Sequence, residues 1–258
     1  MIEINNFSEI NMISIKNKFV DKINESVTNA IGASVVLQIG IQAHASKASE
    51  YPDATIHVGS GDPSCPNTRH IKFTPTHIQA NQKLVNNRNI ILELYLTEII
   101  QHWFDFLAEI YAKAISENVH QSGRFPITKV KMQVDLSSSG SDLINSIENN
   151  ANANFGFLPA SEKLRIVKKI LGTTLSEVQI DEACIKTNIQ VRNILQHQLG
   201  IVSNSDLSDI GVSFIEEDHG NKKENISSGN KITRTYFDLE NFVDSLTNVA
   251  TALVKTQN

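Results

Sequence analysis

Residues 86–119 read NNRNIILELYLTEIIQHWFDFLAEIYAKAISENV, with no Pro and no Gly. Leu92, Leu96, Ile99, Trp103, Phe106, Ile110 and Ala114 recur at steps of three and four, the repeat of one buried helix face. Thr97, Glu98, Gln101 and Asp105 fall outside that stripe. An uninterrupted helix of this length and apolarity needs other helices to cover it. Three more follow in the sequence, and the pattern predicts an α-bundle.

The first of these starts in FLPASEKLRIVKKILG (157–172), where Pro159 suits a first helical position and Gly172 a C-terminal cap. The second is TTLSEVQIDEACIKTNIQVRNILQHQLG (173–200). Ser176 suits its N-cap, Glu177 and Asp181 suit its positive end, and Gly200 stands just past its negative end. The third, at the C-terminus, carries Phe242, Leu246, Val249 and Leu253. Between the long helix and these three, residues 137–154 are rich in Ser and Asn and read as an insertion with a short helix at 141–148.

The N-terminal third is harder to read. Phe19, Ile23, Val27 and Ile31 at steps of four predict a helix within 7–31. Leu37, Ile39 and Ile41 alternate with small or polar residues and predict a strand within 34–43. A Pro-, Gly- and Asp-rich stretch follows, with Ile56–Val58 and His70–Phe73 as short strands of a hairpin around a long turn. The expected organisation is an N-terminal extension over 1–82, α plus short strands, and a helical bundle over 83–258.

Charge and cysteine usage narrow the function. Apolar residues make up 40% of the 258, enough for a folded core, and the formal net charge is −5. That balance argues against a large non-specific nucleic-acid surface, though not against brief contact with RNA at one site. Cys65 and Cys184 stand far apart, and Cys184 reads as a buried free thiol in a helix. No signal peptide is visible and no run approaches about 18 apolar residues, so a cytoplasmic protein without a membrane span is expected. His44, His57, His70 and His77 show no tight metal-ligand spacing, and Glu98 with His102 makes no HExxH. The stretch HVGSGDPS lacks the ending of a phosphate loop, and there is no GxSxG. No metal and no cofactor are expected.

The chemistry-bearing candidates lie in QVRNILQHQLGIVS, residues 190–203. On a wheel of about 100° per residue, Glu182, Lys186, Gln190, Asn193 and His197 share a polar face. Cys184, Val191 and Leu195 lie opposite, on the expected core side. Arg192 stands about 140° from His197, on a flank with Ile185 and Ile189. The helix dipole favours an imidazolium in the last turn, which suits His197 to proton transfer. The planar fork of Arg192 suits phosphate oxygens. A polar helix face that ends in His is also what an ordinary solvated helix carries.

The stretch IQVRNILQHQLGIVSNSDL resembles the signature of the HEPN superfamily: Arg192, the polar Asn193, three variable residues, then His197 at a helix end. The following QLGIVS is similar to the continuation in the ribonuclease-toxin branch, and the resemblance extends loosely over residues 85–255. It implies an up-and-down all-α bundle that forms a homodimer with a composite site between facing helices. It also implies metal-independent endoribonuclease activity in toxin–antitoxin, abortive-infection or other anti-phage systems. RNA is then the substrate, with an antitoxin or defence protein as partner. His197 would act as general acid or base, Arg192 as phosphate clamp, and Asn193 as positioning group. Two other readings stand beside it: a non-catalytic HEPN-like scaffold of a defence complex, and a bundle that binds a nucleotide without cleaving it.

Overall fold

The computed structural model describes residues 3–56, 75–87, 89–121, 125–126 and 140–255, with the side chains of the first helix described from Met12 onward. The described residues form α1 (Glu3–Glu50), α2 (His77–Asn86), α3 (Ile90–Gln121), α4 (Gly140–Gly156), α5 (Ala160–Leu171), α6 (Gln179–His197), α7 (Asn204–Ile210), β1 (Ile215–Asp218), β2 (Lys223–Ile226) and α8 (Tyr236–Lys255). The fold is mainly helical, as the sequence predicts.

Helix α3 is the axis, and every residue of its expected stripe is buried. From the N-terminal side, Phe19 of α1 stacks on Phe106 with ring centroids 4.6 Å apart and tilts against Trp103 at 5.8 Å. The buried face of α1 is Met12, Phe19, Ile23, Ser26 and Ala30. Of the four residues expected there, Val27 is half-buried and Ile31 exposed. From the other side, Phe155 of α4 stacks on Tyr111 at 4.2 Å. The Ser- and Asn-rich segment is therefore helical over Gly140–Gly156, longer than expected, with Ala151 and Phe155 buried. Phe242, Leu246, Val249 and Leu253 of α8 are all fully buried. One apolar cluster runs from Met12 to Leu253, so α1 and the helices after residue 83 share a core.

The strand expected within 34–43 is helix instead, part of the 48 residues of α1. Its β-branched residues favour a strand locally, but packing against α2 overrides that preference. Asn81 Nδ2 donates to Ile41 O at 2.8 Å, and the Nδ1 atoms of His44 and His77 meet at 3.0 Å. Helix α2 starts at a capping box, with Gln79 N donating to Thr76 Oγ1 and Thr76 N to Gln79 Oε1. The hairpin strands expected at 56–58 and 70–73 lie almost wholly outside the described residues. Over Met12–Glu50, α1 is long and apolar enough by length and composition to cross a bilayer, although the sequence predicts no such stretch; its apolar window is 11% buried, and core helices and signal sequences share this length and composition.

The antiparallel hairpin β1–β2 runs in register from Ile215↔Ile226 to Asp218↔Lys223. Its turn holds Gly220 at φ 79°, and a Cβ there would meet the Phe237 ring at 2.5 Å. A buried ionic cluster ties this hairpin to α8. Arg234 Nη1 lies 3.4 Å from Asp238 Oδ2, and Glu217 Oε1 accepts from Thr233 N at 2.8 Å. Asp238 also accepts from the backbone N–H of Asp218 and of Thr235, each at 3.0 Å.

Candidate active site

Helix α6 buries Ile185, Asn188, Val191 and Ile194, a stripe with steps of three. The expected core side was Cys184, Val191 and Leu195. Only Val191 is buried, and the other two are half-buried. The face is rotated because α6 packs on α8 and α3, while the flank of Ile185 and Ile189 bounds a cavity of about 500 Å³ between α5 and α7. Trp103 is also in its wall, with Leu164 of α5 and Ile210 at the end of α7. Lys168 of α5 and Glu182 of α6 pair at 2.7 Å at its rim, and Lys186 Nζ donates to Ile210 O at 3.0 Å. Ser176 does not cap α6. It opens a 3-10 turn over Ser176–Val178, and α6 follows from Gln179.

The far end of α6 is held closely. Gln198 N and Gly200 N both donate to Ile194 O, at 2.9 and 3.2 Å. Gly200 adopts φ 81°, and a Cβ there would stand 3.0 Å from Ile232 O. This is the C-terminal glycine the sequence predicts, and it lets the chain turn and pair with the 229–232 segment. Ile232 N donates to Gly200 O at 2.8 Å and Val202 N to Asn230 O at 3.0 Å. Leu199, at φ 54°, is turned out and 85% exposed.

Asp206 then locks this end to α7. Ser203 caps α7 by accepting from Asp206 N at 3.2 Å, while Asp206 Oδ2 accepts from Ser203 N at 2.8 Å. Its Oδ1 accepts from Gln190 Nε2 at 2.8 Å and Gln198 Nε2 at 3.2 Å. Asp206 is 3% exposed. Burial raises its carboxyl, but the donors from Ser203, Gln190 and Gln198 outweigh that and hold it below the usual carboxylate range.

On this braced end stand the three expected site residues. His197 is the last residue of α6 and is exposed, Asn193 is half-buried one turn earlier, and neither side chain has a hydrogen-bond partner among the described residues. Arg192 is half-buried. Its Nη1 donates to Gln196 Oε1 at 3.2 Å, and Gln196 Nε2 donates to Thr97 Oγ1 of α3 at 3.2 Å. The Arg192 Nε is buried without a partner. Burial lowers the pKa of this guanidinium, which stays charged at neutral pH. No hydrogen bond joins Arg192 to His197. Asn193 and His197 share a wet face, while Arg192 is held toward α3.

A fixed, partly desolvated guanidinium can hold phosphate oxygens, and an exposed imidazole can move a proton. The two stand about 140° apart around α6, although the long side chain of Arg192 has the reach to swing toward His197.

Glu98 and His102 do not join this end. They approach each other at 3.6 Å on the α1 side of α3, where Glu98 accepts from Ser26 Oγ at 3.0 Å. Cys184 is half-buried, and burial pushes its thiol up, against use as a nucleophile. Among the described residues no group of three His, Cys, Asp or Glu side chains converges to hold a metal ion. His57, Cys65 and His70 lie outside the described residues.

Sequence reading did not single out the Asp206 lock, the cavity or the Arg234 cluster. The Ser203-to-Asp206 spacing is a capping-box pattern and was a usable signal for the first. Arg234 and Asp238 stand four apart, which is also a local signal, but Glu217 joins them from 16 residues before Thr233, and the cavity joins residues too far apart in the chain to leave a pattern. No family model matches the chain, and neither a curated protein nor a solved structure is similar to it.

Proposed function

We propose that the chain is a metal-independent endoribonuclease of the HEPN type, an up-and-down helical bundle acting as a homodimer. The observation that carries the reading is the split at the end of α6. Arg192 and His197 sit on different sides of one helix, and apolar residues are exposed at its end and on α3. Leu199 is 85% and Ile201 44% exposed at the helix end. Leu94 and Ile90 of α3, on the same side as Thr97, are 61% and 46% exposed. A second copy packed there hides this surface and brings the Arg192 of one chain to the His197 of the other.

In the reaction, a base takes the proton of a ribose 2'-OH and O2' attacks the adjacent phosphorus. The P–O5' bond breaks and the leaving O5' takes up a proton. The products are a 2',3'-cyclic phosphate and a 5'-hydroxyl. His197 moves the proton, Arg192 binds the phosphate charge as it grows, and Asn193 positions the imidazole or the phosphate. The setting that suits such an activity is a cytoplasmic toxin–antitoxin or anti-phage system, with a partner protein that holds it in check.

The test is incubation of the purified chain with total RNA and tRNA in EDTA. Cleavage that is lost in His197→Ala and in Arg192→Ala is expected. No cleavage, or equal cleavage by His197→Ala, overturns the reading. One observation favours a second reading, a non-catalytic scaffold module. The contacts from Arg192 through Gln196 to Thr97 give Arg192 a structural task. An assembly that forms normally and cleaves no RNA supports that alternative.

A further inference from the structure

Residues 26–46 of α1 contain no Asp, Glu, Lys or Arg, although such residues make up 20% of the chain. One side of this stretch is covered: Leu37, Gly40, Ile41 and His44 are partly buried, and α2 packs there. The flank beside it, about 120° around the helix, is bare. Asn29, Gly32, Val36, Ile39 and Ala43 are all exposed, Val36 by 69% and Ile39 by 59%. Their steps of three and four make the seam of a two-helix coiled coil. Charged residues bracket the seam, Lys22 and Glu25 before it and Lys47 and Glu50 after it; Lys47 and Glu50 pair at 2.9 Å within one chain, an exposed pair that can re-partner at little cost.

We propose that this face pairs antiparallel with the same face of a second copy, with the two-fold axis at Val36. Charge order selects the direction. About that axis Lys22 faces Glu50 of the partner subunit and Glu25 faces Lys47 of the partner subunit. A parallel pairing sets Glu25 against Glu25 and Lys47 against Lys47, which like-charge repulsion disfavours. Shape agrees with charge. No atom comes within 4 Å of a Cβ built on Gly32, and this gap receives Ile39 of the partner subunit. The paired stretch from 22 to 50 is about 43 Å long at 1.5 Å per residue, or about four heptads.

A bilayer is the poorer occupant. Asn29 and Gln42 lie on or beside the bare face, and the polar helix α2 lies along the covered side. The seam is on a different helix from Arg192 and His197 and does not depend on the nuclease reading. A chain using both faces assembles beyond a dimer.

The test uses the full chain with Cys65→Ser and Cys184→Ser, its fold checked by circular dichroism. Under mild oxidation Val36→Cys is expected to give covalent dimers. Asn29→Cys alone should give none, but mixed with Ala43→Cys it should cross-link. Glu25→Lys should weaken the assembly about ten-fold in sedimentation, and adding Lys47→Glu should restore it. Arg192→Ala should leave the cross-link intact. The proposal is overturned by no cross-link at position 36, by efficient Asn29→Cys self-cross-linking, by a Glu25→Lys chain that assembles like wild type, or by flotation with phosphatidylglycerol vesicles.

Discussion

Replacing Asp206 loosens the end of α6 from α7, and the structure sets the size of the effect. The carboxylate accepts from Ser203 N, Gln190 Nε2 and Gln198 Nε2, and it completes the cap of α7. Losing a helix cap costs about 1 kcal/mol. Losing the charge-assisted bond from the half-buried Gln190 costs about 2 kcal/mol, while the bond from the exposed Gln198 adds little. Asp206→Ala should therefore lose about 3 kcal/mol, or roughly 6–12 °C in Tm for a chain of this size. Asp206→Asn should fall nearly as far, because its amide sets donors against donors.

The sign of the pH dependence follows from the depressed carboxyl. Its stabilisation is complete above the unfolded value, about 3.9, and is lost as pH falls through the lower folded value. The gap between wild type and Asp206→Asn should be level from about pH 8 to 5 and shrink below about pH 4. Circular-dichroism melts across that range are the assay. A Tm for Asp206→Ala within about 1 °C of wild type at neutral pH, or an undiminished gap in acid, refutes the lock.

Gly200→Ala should cost about 1–2 kcal/mol, since φ 81° is unfavourable for an L-residue and its Cβ would press on Ile232 O; a denaturant midpoint equal to wild type contradicts this. Arg234→Met should cost about 3–5 kcal/mol by leaving Asp238 buried without its cation, measured by urea unfolding. His197→Ala, at an exposed position, should change stability by less than about 0.5 kcal/mol while it abolishes RNA cleavage, so melt and cleavage assay together separate chemistry from folding.

The helices that cross the core were legible because their apolar spacing reports burial directly. Trp103, Phe106 and Ile110 predicted the buried face of α3, and Phe242 and Leu246 that of α8. Reading failed where burial comes from distant contacts. Val35, Val36, Ile39 and Ile41 carry strand preferences, and the contacts of Asn81 and His77 that accompany the helical state lie more than 30 residues away. A wheel for α6 identified the wet face of Asn193 and His197. It left Ile185 on a flank because the cover of α6 comes from α8 and α3, distant in the chain. The wheel sets Arg192 on a flank with Ile185 and Ile189, but the brace from Gln196 to Thr97 spans 99 residues and leaves no trace in spacing.

The most direct test of the composite site is complementation. Arg192→Ala and His197→Ala chains should each be inactive alone. Co-expressed, they form mixed dimers that hold one site with both residues intact. Half the dimers are mixed and one of their two sites is whole, so activity should return to about a quarter of wild type. The products should carry 2',3'-cyclic phosphate ends. If the co-expressed pair stays as inactive as the single variants while still forming dimers, Arg192 and His197 do not meet across two chains.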